Sequence, residues 1–271
     1  MVPAAQRAVA IIIPARYSST RFPGKPLQQF EGSDGRSRSL VEHSWRAALQ
    51  VPGISFLAVA TDDERIAREV EAFGGTTIMT PADCANGTER CAAAVAALDQ
   101  EIDIVVNLQG DAPLTPASIV TSVLDRLSQE PSLAVATPAI RCTPGAYRHL
   151  VQDAANGRVG GTTVVFNRSC EALYFSKRIL PYADPKSTAD EVPTTYLHLG
   201  VYAYRRAALA AYVELGVSPL EEQEGLEQLR FLHAGMRVGI ALCDAPNWEI
   251  VEVNNPGDIP VVEGILRGRD D

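Results

Sequence analysis

Residues 11–27 concentrate side chains that bind phosphate. The segment reads IIIPARYSSTRFPGKPL, in which an apolar run of isoleucines leads into a loop with three cations, Arg16, Arg21 and Lys25. Hydroxyl groups such as Ser18 and a turn-forming Gly24 lie between them. Such a loop brings backbone N–H groups and positive charge close to a triphosphate and can neutralise a departing pyrophosphate. The segment matches neither a Walker A loop nor a G-x-G-x-x-G fingerprint. The alternative interpretation is a basic loop that is exposed to solvent and binds no ligand.

A carboxylate with possible metal chemistry follows another apolar run. Asp111 stands in Gln109-Gly110-Asp111, directly after Ile104–Leu108. Mg²⁺ prefers one or two protein carboxylates together with phosphate oxygens and water. Asp111 is therefore a candidate metal ligand, and the alternative is a turn aspartate that caps the following helix.

The elements that must position these residues follow the pattern of β-α units. Short runs rich in Val and Ile alternate with amphipathic segments, which predicts a Rossmann-like α/β fold with a mostly parallel sheet flanked by helices. We predict strands at 8–14, 55–60, 76–79, 102–108 and 133–140, and helices at 39–49, 63–73, 89–98 and 116–129. In such a sheet the loops that carry Lys25 and Asp111 lie at the carboxyl ends of strands, where ligands bind.

The second half of the chain has a different character. Strands are predicted at 162–166, 172–175, 200–204 and 238–242, one helix over Glu221–His233, and a final helix from Pro256. A polar loop, Ala183–Pro193, separates the strands. We predict a single domain over residues 1–271 that contains a β-rich excursion at about 141–212.

Composition and charge exclude several classes of protein. The 24 Lys and Arg residues against 33 Asp and Glu residues give a formal net charge of −9, which argues against a nucleic-acid binder. No apolar run approaches the roughly 20 residues of a membrane helix, and the first eight residues lack the apolar core of a signal peptide. The five cysteines are odd in number and scattered along the sequence, so we expect neither disulfides nor a structural zinc site. This cysteine usage predicts a cytoplasmic location.

The loop at 11–27 resembles the opening signature of the sugar nucleotidyltransferases. In detail it is similar to the cytidylyltransferases that activate 3-deoxy-manno-octulosonate (Kdo). Further blocks match that family in the same order: VATDDERIAREVEAFGG at 59–75, MTPADCANGTER at 79–90, VVNLQGDAPL at 105–114, ALYFS at 172–176, LHLGVYAYR at 197–205 and PLEEQEGLEQLR at 219–230. Several blocks in register are a specific signal, whereas any one alone would be weak.

The resemblance implies a reaction and assigns roles. A hydroxyl of the acceptor attacks the α-phosphorus of CTP with Mg²⁺ as cofactor, pyrophosphate leaves, and catalysis rests on alignment and charge neutralisation. The implied catalytic residues are Arg16, Lys25 and Asp111. The implied nucleotide-binding residues are Pro14, Ala15, Arg16, Ser18, Arg21, Lys25, Asp83, Gly87, Thr88, Arg90 and Gln109. The implied acceptor-binding residues are Lys177, His198, Tyr202, Glu227 and Gln228. The implied metal ligands are Asp111 and Asn254, and a homodimer through the β-rich second half is implied as well.

Some of these residues have structural alternatives. His198 stands among apolar neighbours and is also expected as a hydrogen-bonded core residue, and Thr88 as a helix cap. Glu221, Glu224 and Glu227 are expected on the solvated face of the helix at 221–233, where they could also contact a second subunit.

Four positions depart from the family pattern. Ala112 replaces a Glu, Thr163 a Lys, Lys177 an Arg and Asn254 an Asp. An amide oxygen at Asn254 can still coordinate Mg²⁺ but contributes no charge, and an Arg-to-Lys change gives up bidentate carboxylate binding. Two alternatives therefore stay open: CMP transfer to another acidic sugar or a small phosphonate, and a nucleotide-binding module without catalysis.

Overall fold

The computed structural model of the chain describes residues 7–18, 22–182, 194–248, 253 and 255–268. Two units emerge from the contacts within the chain. The first comprises Met1–Thr121, Tyr204–Leu209 and Pro246–Asp271, and the second comprises Ser122–Ala203 and Ala210–Ala245. The division into one domain with an excursion at 141–212 stays a prediction.

Strands and helices alternate through the first half of the chain, as predicted. In chain order the strands are β1 Val9–Pro14, β2 Gln29–Glu31, β3 Ser37–Ser39, β4 Phe56–Thr61, β5 Thr77–Met79, β6 Ile104–Leu108, β7 Val135–Arg141, β8 Thr162–Phe166, β9 Ala172–Ser176, β10 Tyr196–His198, β11 Val201–Arg205 and β12 Val238–Cys243. The helices are α1 Leu40–Leu49, α2 Glu64–Ala72, α3 Gly87–Ala96, α4 Ala117–Gln129, α5 Pro144–Ala155, α6 Arg206–Glu214, α7 Pro219–Glu224, α8 Leu229–His233 and α9 Ile259–Arg267.

The sheet of the first unit is parallel, in the order β5-β4-β1-β6. Its centre is β1, where Ile11, Ile12 and Ile13 are fully buried, as expected for a strand covered on both faces. Ile12 lies opposite Ala58 of β4 and Asn107 of β6. Because the three strands run in the same direction, the loops that follow them leave the sheet at one edge.

The sheet of the second unit is mixed. In it β12 runs parallel to β7, while β10 pairs antiparallel with β7 and with β8, and β8 pairs antiparallel with β9. With the parallel sheet of the first unit, this confirms the predicted α/β class with mostly parallel central strands and helices around them.

Other elements differ from the predictions. The hairpin β2–β3 and the helices α5 and α6 were not predicted, and the loop Ala183–Pro193 lies outside the described residues. Among the described helices, none is long and apolar enough to span a membrane.

The predicted single helix at 221–233 is wrong. The chain breaks at Gly225, which has a positive φ of 60° and ends α7, and α8 begins only at Leu229. Glycine adopts this left-handed conformation without the strain that a Cβ atom would cause, so it terminates a helix readily. The predicted solvated face is wrong for Glu221, which is buried, while Glu224 and Glu227 are half-buried.

Candidate functional site

The turn after β6 approaches the end of β1 closely. A Cβ atom on Gly110 would lie 3.0 Å from the carbonyl oxygen of Pro14, so a larger residue there would push the two segments apart. The carbonyl of Gly110 accepts a hydrogen bond of 3.0 Å from the Ser44 hydroxyl of α1. This packing fixes the position of the next residue, Asp111.

Lys25 and Asp111 meet at this edge of the sheet. The Lys25 Nζ atom donates to Asp111 Oδ2 at 2.6 Å and to the carbonyl oxygen of Val253 at 2.8 Å. The Val253 N–H in turn donates to the carbonyl oxygen of Asp111 at 2.9 Å. Three segments far apart in the sequence are thus joined around one ammonium group, whose side chain remains 16% exposed.

A glycine with positive φ directs Lys25 into the site. Gly24 has φ of 69° and precedes a single 3₁₀ turn over Lys25–Leu27, in which Pro26 is buried. The Gly24 N–H donates to the carbonyl oxygen of Tyr17 at 2.9 Å and closes the loop after β1. Lys25 therefore begins a rigid turn instead of extending into solvent.

The other predicted residues of the loop lie close to the end of β1. Pro14 is the last residue of β1, and the buried Ala15 donates from its N–H to the carbonyl oxygen of Ala60 in β4 at 2.9 Å. Arg16 and Ser18 are exposed in the residues that follow. Two predicted site residues, Arg21 and Asn254, lie outside the described residues.

The predicted block at 83–90 forms the start of α3. The helix cap is Asn86, whose Oδ1 accepts from the Glu89 N–H at 2.9 Å, and not Thr88 as the alternative expected. The buried Thr88 hydroxyl instead forms a hydrogen bond of 2.8 Å with the Tyr204 hydroxyl. Gly87 is the first helical residue, and Asp83 is exposed in the turn before it.

Arg90 is buried and held by protein groups. Its Nη1 atom donates to Thr80 Oγ1 at 2.7 Å and lies 3.2 Å from Asp62 Oδ1, with 4% of its side chain exposed. Arg90 thus ties α3 to the ends of β4 and β5. Gln109, half-buried, forms the turn before Asp111 by accepting from the Ala112 N–H at 3.1 Å.

Asp111 fits the predicted Mg²⁺. Its Oδ2 pairs with Lys25, while its Oδ1 is buried and has no hydrogen-bond partner among the described residues. A buried carboxylate oxygen without a partner is costly unless a ligand satisfies it, and a hard cation is a suitable one. Among the described residues no cluster of three His, Cys, Asp or Glu residues could hold a metal ion.

In the second unit, His198 is buried and hydrogen-bonded. Its Nε2 atom lies 2.8 Å from Thr137 Oγ1, which itself donates to the carbonyl oxygen of Val201 at 2.7 Å. Because the single hydroxyl proton is used on Val201, His198 Nε2 carries the proton and donates, which leaves Nδ1 as an acceptor. Burial lowers the pKa of His198 to about 3, so the imidazole is neutral at neutral pH.

Tyr202 and Gln228 lie beside His198. The ring centroids of His198 and Tyr202 are 5.4 Å apart, and the Tyr202 hydroxyl donates to Gln228 Oε1 at 3.1 Å. Gln228 Nε2 is buried and has no hydrogen-bond partner among the described residues. A neutral imidazole and an amide donor are groups that recognise hydroxyls of a small polar ligand. Three of the five predicted acceptor residues are thus brought together.

Lys177 and Glu227 flank that cluster. The side chain of Lys177 is exposed, and a Cβ atom on Gly225 would lie 2.8 Å from its Nζ atom. The Lys177 N–H donates to Glu224 Oε2 at 3.1 Å. Glu227 lies in the link between α7 and α8, where its carbonyl oxygen accepts from the Tyr212 hydroxyl at 3.3 Å.

Thr163 has a structural role at the position where the family pattern has a Lys. Its buried hydroxyl donates to the carbonyl oxygen of Arg178 at 2.6 Å and accepts from the Leu180 N–H at 3.1 Å. It therefore holds the turn after β9 and brings no charge to the cluster.

Two contacts that build the candidate site escaped the sequence analysis. The Val253 carbonyl that binds Lys25 is a backbone group, and no residue type marks it. A buried ion pair orders α7 and α8: Arg230 donates to Glu221 from Nε at 2.7 Å and from Nη2 at 2.8 Å. A signal for the start of α7 was available, because Ser218-Pro219-Leu220-Glu221 has the spacing of a capping box, which the structure contains.

The chain is similar to known proteins over most of its length. The sequence profile described as "Cytidylyltransferase" matches residues 10–238. The 3-deoxy-manno-octulosonate cytidylyltransferase of Maricaulis maris is 45% identical over 259 residues, which cover 96% of this chain and 97% of the relative. The enzyme of the same name from Chlamydia abortus is 37% identical over 255 residues, 94% of this chain and 92% of the relative. A solved structure of CMP:2-keto-3-deoxy-manno-octonic acid synthetase complexed with CTP has 34% identity and a TM-score of 0.81, and the match covers 96% of this chain and 99% of that one.

Proposed function

Because the chain belongs to the cytidylyltransferase family, we propose that it transfers CMP from CTP to 3-deoxy-manno-octulosonate and releases pyrophosphate. A hydroxyl oxygen of the acceptor forms a bond to the α-phosphorus of CTP, the bond from that phosphorus to the β-phosphate oxygen breaks, and the hydroxyl proton is released. The similarity of the relatives over nearly the whole chain supports this acceptor over a phosphonate or a module without catalysis.

The observation that carries the proposal is the contact of 2.6 Å between Lys25 and Asp111. The contact joins the loop after β1 to the turn after β6. These are the two segments that are proposed to bind the triphosphate of CTP. Lys25 has three N–H donors, of which two are used on Asp111 and Val253, so one is available for a phosphate oxygen. Its charge opposes the negative charge that develops on the departing pyrophosphate. Arg16, exposed in the loop after β1, is proposed as a second cation.

Mg²⁺ is part of the proposal. Asp111 would hold it through the buried Oδ1 that has no protein partner among the described residues. When bound, Mg²⁺ supplies charge neutralisation and alignment of phosphate oxygens. Asn254 is proposed as a second, neutral ligand.

His198, Tyr202 and Gln228 are proposed to bind the acceptor. His198 Nδ1 accepts and Gln228 Nε2 donates, so together they can recognise a hydroxyl and a carbonyl or carboxylate oxygen. Lys177 provides a cation for the acceptor's carboxylate. Glu227, also predicted here, is proposed for a sugar hydroxyl.

We also propose a cytoplasmic homodimer. None of the five cysteines forms a disulfide with another described residue, and burial raises the pKa of the Cys142 thiol to about 11, which keeps it unreactive. Free thiols are typical of reducing compartments. Large apolar side chains are exposed in the second unit, among them Leu173 at 60% and Leu242 at 50%. Such side chains are suited to a subunit contact.

The test is pyrophosphate release from CTP, UTP, ATP and GTP, each with Mg²⁺ and with or without 3-deoxy-manno-octulosonate. We expect release from CTP only when the acceptor is present, with a stoichiometric CMP-sugar product seen by ³¹P NMR. Equal rates with and without the acceptor, or no release from CTP at all, would contradict the proposal.

A further inference from the structure

We infer that Arg65, together with Tyr17, is a positioning residue that fixes the loop carrying Lys25 and thereby sets the affinity for CTP. The inference rests on the proposed function. Neither residue is among those that the family resemblance implies for the site. Both belong to the first unit.

The first step is the stack between the two side chains. The Arg65 Cζ atom lies 3.3 Å from the centroid of the Tyr17 ring, so the guanidinium covers one face of the ring. Tyr17 lies in the loop after β1, and Arg65 lies in the first turn of α2. An arginine over an aromatic face is attracted by the ring quadrupole and packs as a flat plate.

The second step is the orientation of Arg65. Its Nε donates to Asp63 Oδ1 at 2.9 Å and its Nη2 to Asp63 Oδ2 at 2.7 Å. Asp63 is the cap of α2 and accepts from the Arg65 N–H at 2.9 Å, so the carboxylate is itself fixed by the helix. The carboxylate of Asp63 therefore largely neutralises the charge of Arg65. The guanidinium is held so that its flat face packs on Tyr17, and it is less suited to bind a phosphate.

The third step connects Tyr17 to Lys25. A Cβ atom on Gly24 would lie 3.0 Å from Tyr17 Cε2, so the ring rests directly on the glycine. The Tyr17 carbonyl oxygen accepts from the Gly24 N–H at 2.9 Å. Arg65 holds the Tyr17 ring, and the ring packs against Gly24 and restrains it. Lys25 is the next residue in the chain. A loosened Tyr17 frees the turn that aims Lys25 at Asp111.

The test compares Arg65→Ala with Arg68→Ala. Arg68 is exposed on the same helix and bonds to the Glu64 carbonyl oxygen, so the control removes the same charge without touching Tyr17. We expect Arg65→Ala to raise the Kd for CTP, measured by calorimetry, about two- to fivefold, as for a partly exposed cation–π pair. The kcat at saturating CTP should change less. Arg68→Ala should match the parent.

Two variants of Tyr17 separate positioning from mere folding. Tyr17→Phe keeps the ring and should keep the parent Kd, whereas Tyr17→Leu should raise it. In Tyr17→Leu combined with Arg65→Ala, the Kd should be no higher than in Tyr17→Leu alone, because both changes break one contact. The inference would be overturned if the Kd increases of the two single variants multiplied in the double variant. It would also be overturned if the variants shifted the thermal midpoint and left the Kd for CTP unchanged. Equal Kd increases in Arg65→Ala and Arg68→Ala would overturn it too, because they would indicate long-range charge instead of stacking.

The two proposals fail differently. A parent that binds no CTP overturns the proposed function, and this inference with it. A parent that binds CTP while Arg65→Ala behaves like Arg68→Ala overturns the inference alone.

Discussion

At the scale of single residues, the candidate site depends on polar atoms left without protein partners. Asp111 Oδ1 and Gln228 Nε2 are both buried and unpaired among the described residues. A buried polar atom of this kind lowers the free energy of unfolding by roughly 1–3 kcal/mol unless a ligand or water satisfies it. The chain thus carries a stability cost at the positions where substrate and metal are proposed to bind.

Asp111→Asn should reduce turnover about 100-fold or more and leave the fold intact. The change keeps the side-chain shape and removes the charge that pairs with Lys25 and is proposed to bind Mg²⁺. Steady-state rates with CTP and circular dichroism measure the two effects. Asp99→Asn, at an exposed position, is the matched control and should equal the parent. Near-parental turnover in Asp111→Asn would remove Asp111 from the metal site.

His198 should make the protein less stable in mild acid. Its folded pKa of about 3 lies below the ordinary histidine value of 6.5, so the unfolded chain binds a proton more readily. The stability conferred by neutral His198 is complete above pH 6.5 and is lost as pH falls towards 3, by about 1.4 kcal/mol per pH unit at most. Thermal midpoints from pH 8 to 4 should therefore fall more steeply in the parent than in His198→Asn.

His149→Asn is the control for that pH series. His149 is exposed, so its removal should leave the steep fall in place. Burial also lowers the pKa of His43, so His43 likewise contributes to the loss of stability as the pH falls. This contribution is the same in the His198→Asn and His149→Asn variants. Parallel curves for parent and His198→Asn would contradict the assignment.

At the scale of elements, α9 builds the site without contributing a side chain to it. Its Val262 and Leu266 pack in one apolar cluster with Phe22 and Val253. Glu263 Oε1 accepts from the N–H of Glu31 in β2 at 2.9 Å, which docks the helix on the β2–β3 hairpin. The cluster therefore holds Phe22, near Lys25 in the chain, and Val253, whose carbonyl binds Lys25.

Leu266→Ala should lower both stability and activity. Deleting a buried leucine side chain costs about 2–5 kcal/mol, and the cavity lies in the cluster that holds Val253. Urea unfolding and the rate with CTP, taken at a temperature where the variant remains folded, measure the two effects. Val261→Ala on the same helix is the control, because Val261 is 49% exposed. A destabilised variant with the parental rate would show that α9 stabilises the fold and does not position Lys25.

The elements also show how far sequence reasoning extends. The parallel strands and the Lys25 and Asp111 loops follow from local patterns, because a buried strand needs a continuous apolar run and a loop needs turn residues. The break at Gly225 was missed because polar and apolar residues continue across it without a proline, whereas Gly225 ends α7 in the αL conformation and residues 225–228 separate α7 from α8. The burial of Glu221 was missed since its partner, Arg230, pairs across that break.

At the scale of the whole molecule, assembly is the main open prediction. Leu173 lies on β9, which among the described strands pairs with β8 alone, and 60% of it is exposed. A strand edge with an exposed leucine is a liability unless another surface covers it. The proposed homodimer would provide that cover.

Leu173→Glu should convert the proposed dimer to a monomer. A charge at the contact is expensive to bury, so association should weaken. Light scattering coupled to size exclusion gives the mass, to be compared with the 29.1 kDa of one chain. Leu49→Glu, at a position of the first unit that is 55% exposed, is the control and should remain dimeric. A parent of monomeric mass would contradict the proposal directly.

The bond between Lys25 and the Val253 carbonyl spans 228 positions of the chain. On the ribosome, the segment that contains Lys25 and Asp111 is complete long before Val253 has been synthesised. A nascent chain therefore holds this lysine and aspartate without the backbone that orients them, and we expect it to acquire its full affinity for CTP only once Val253 has been synthesised.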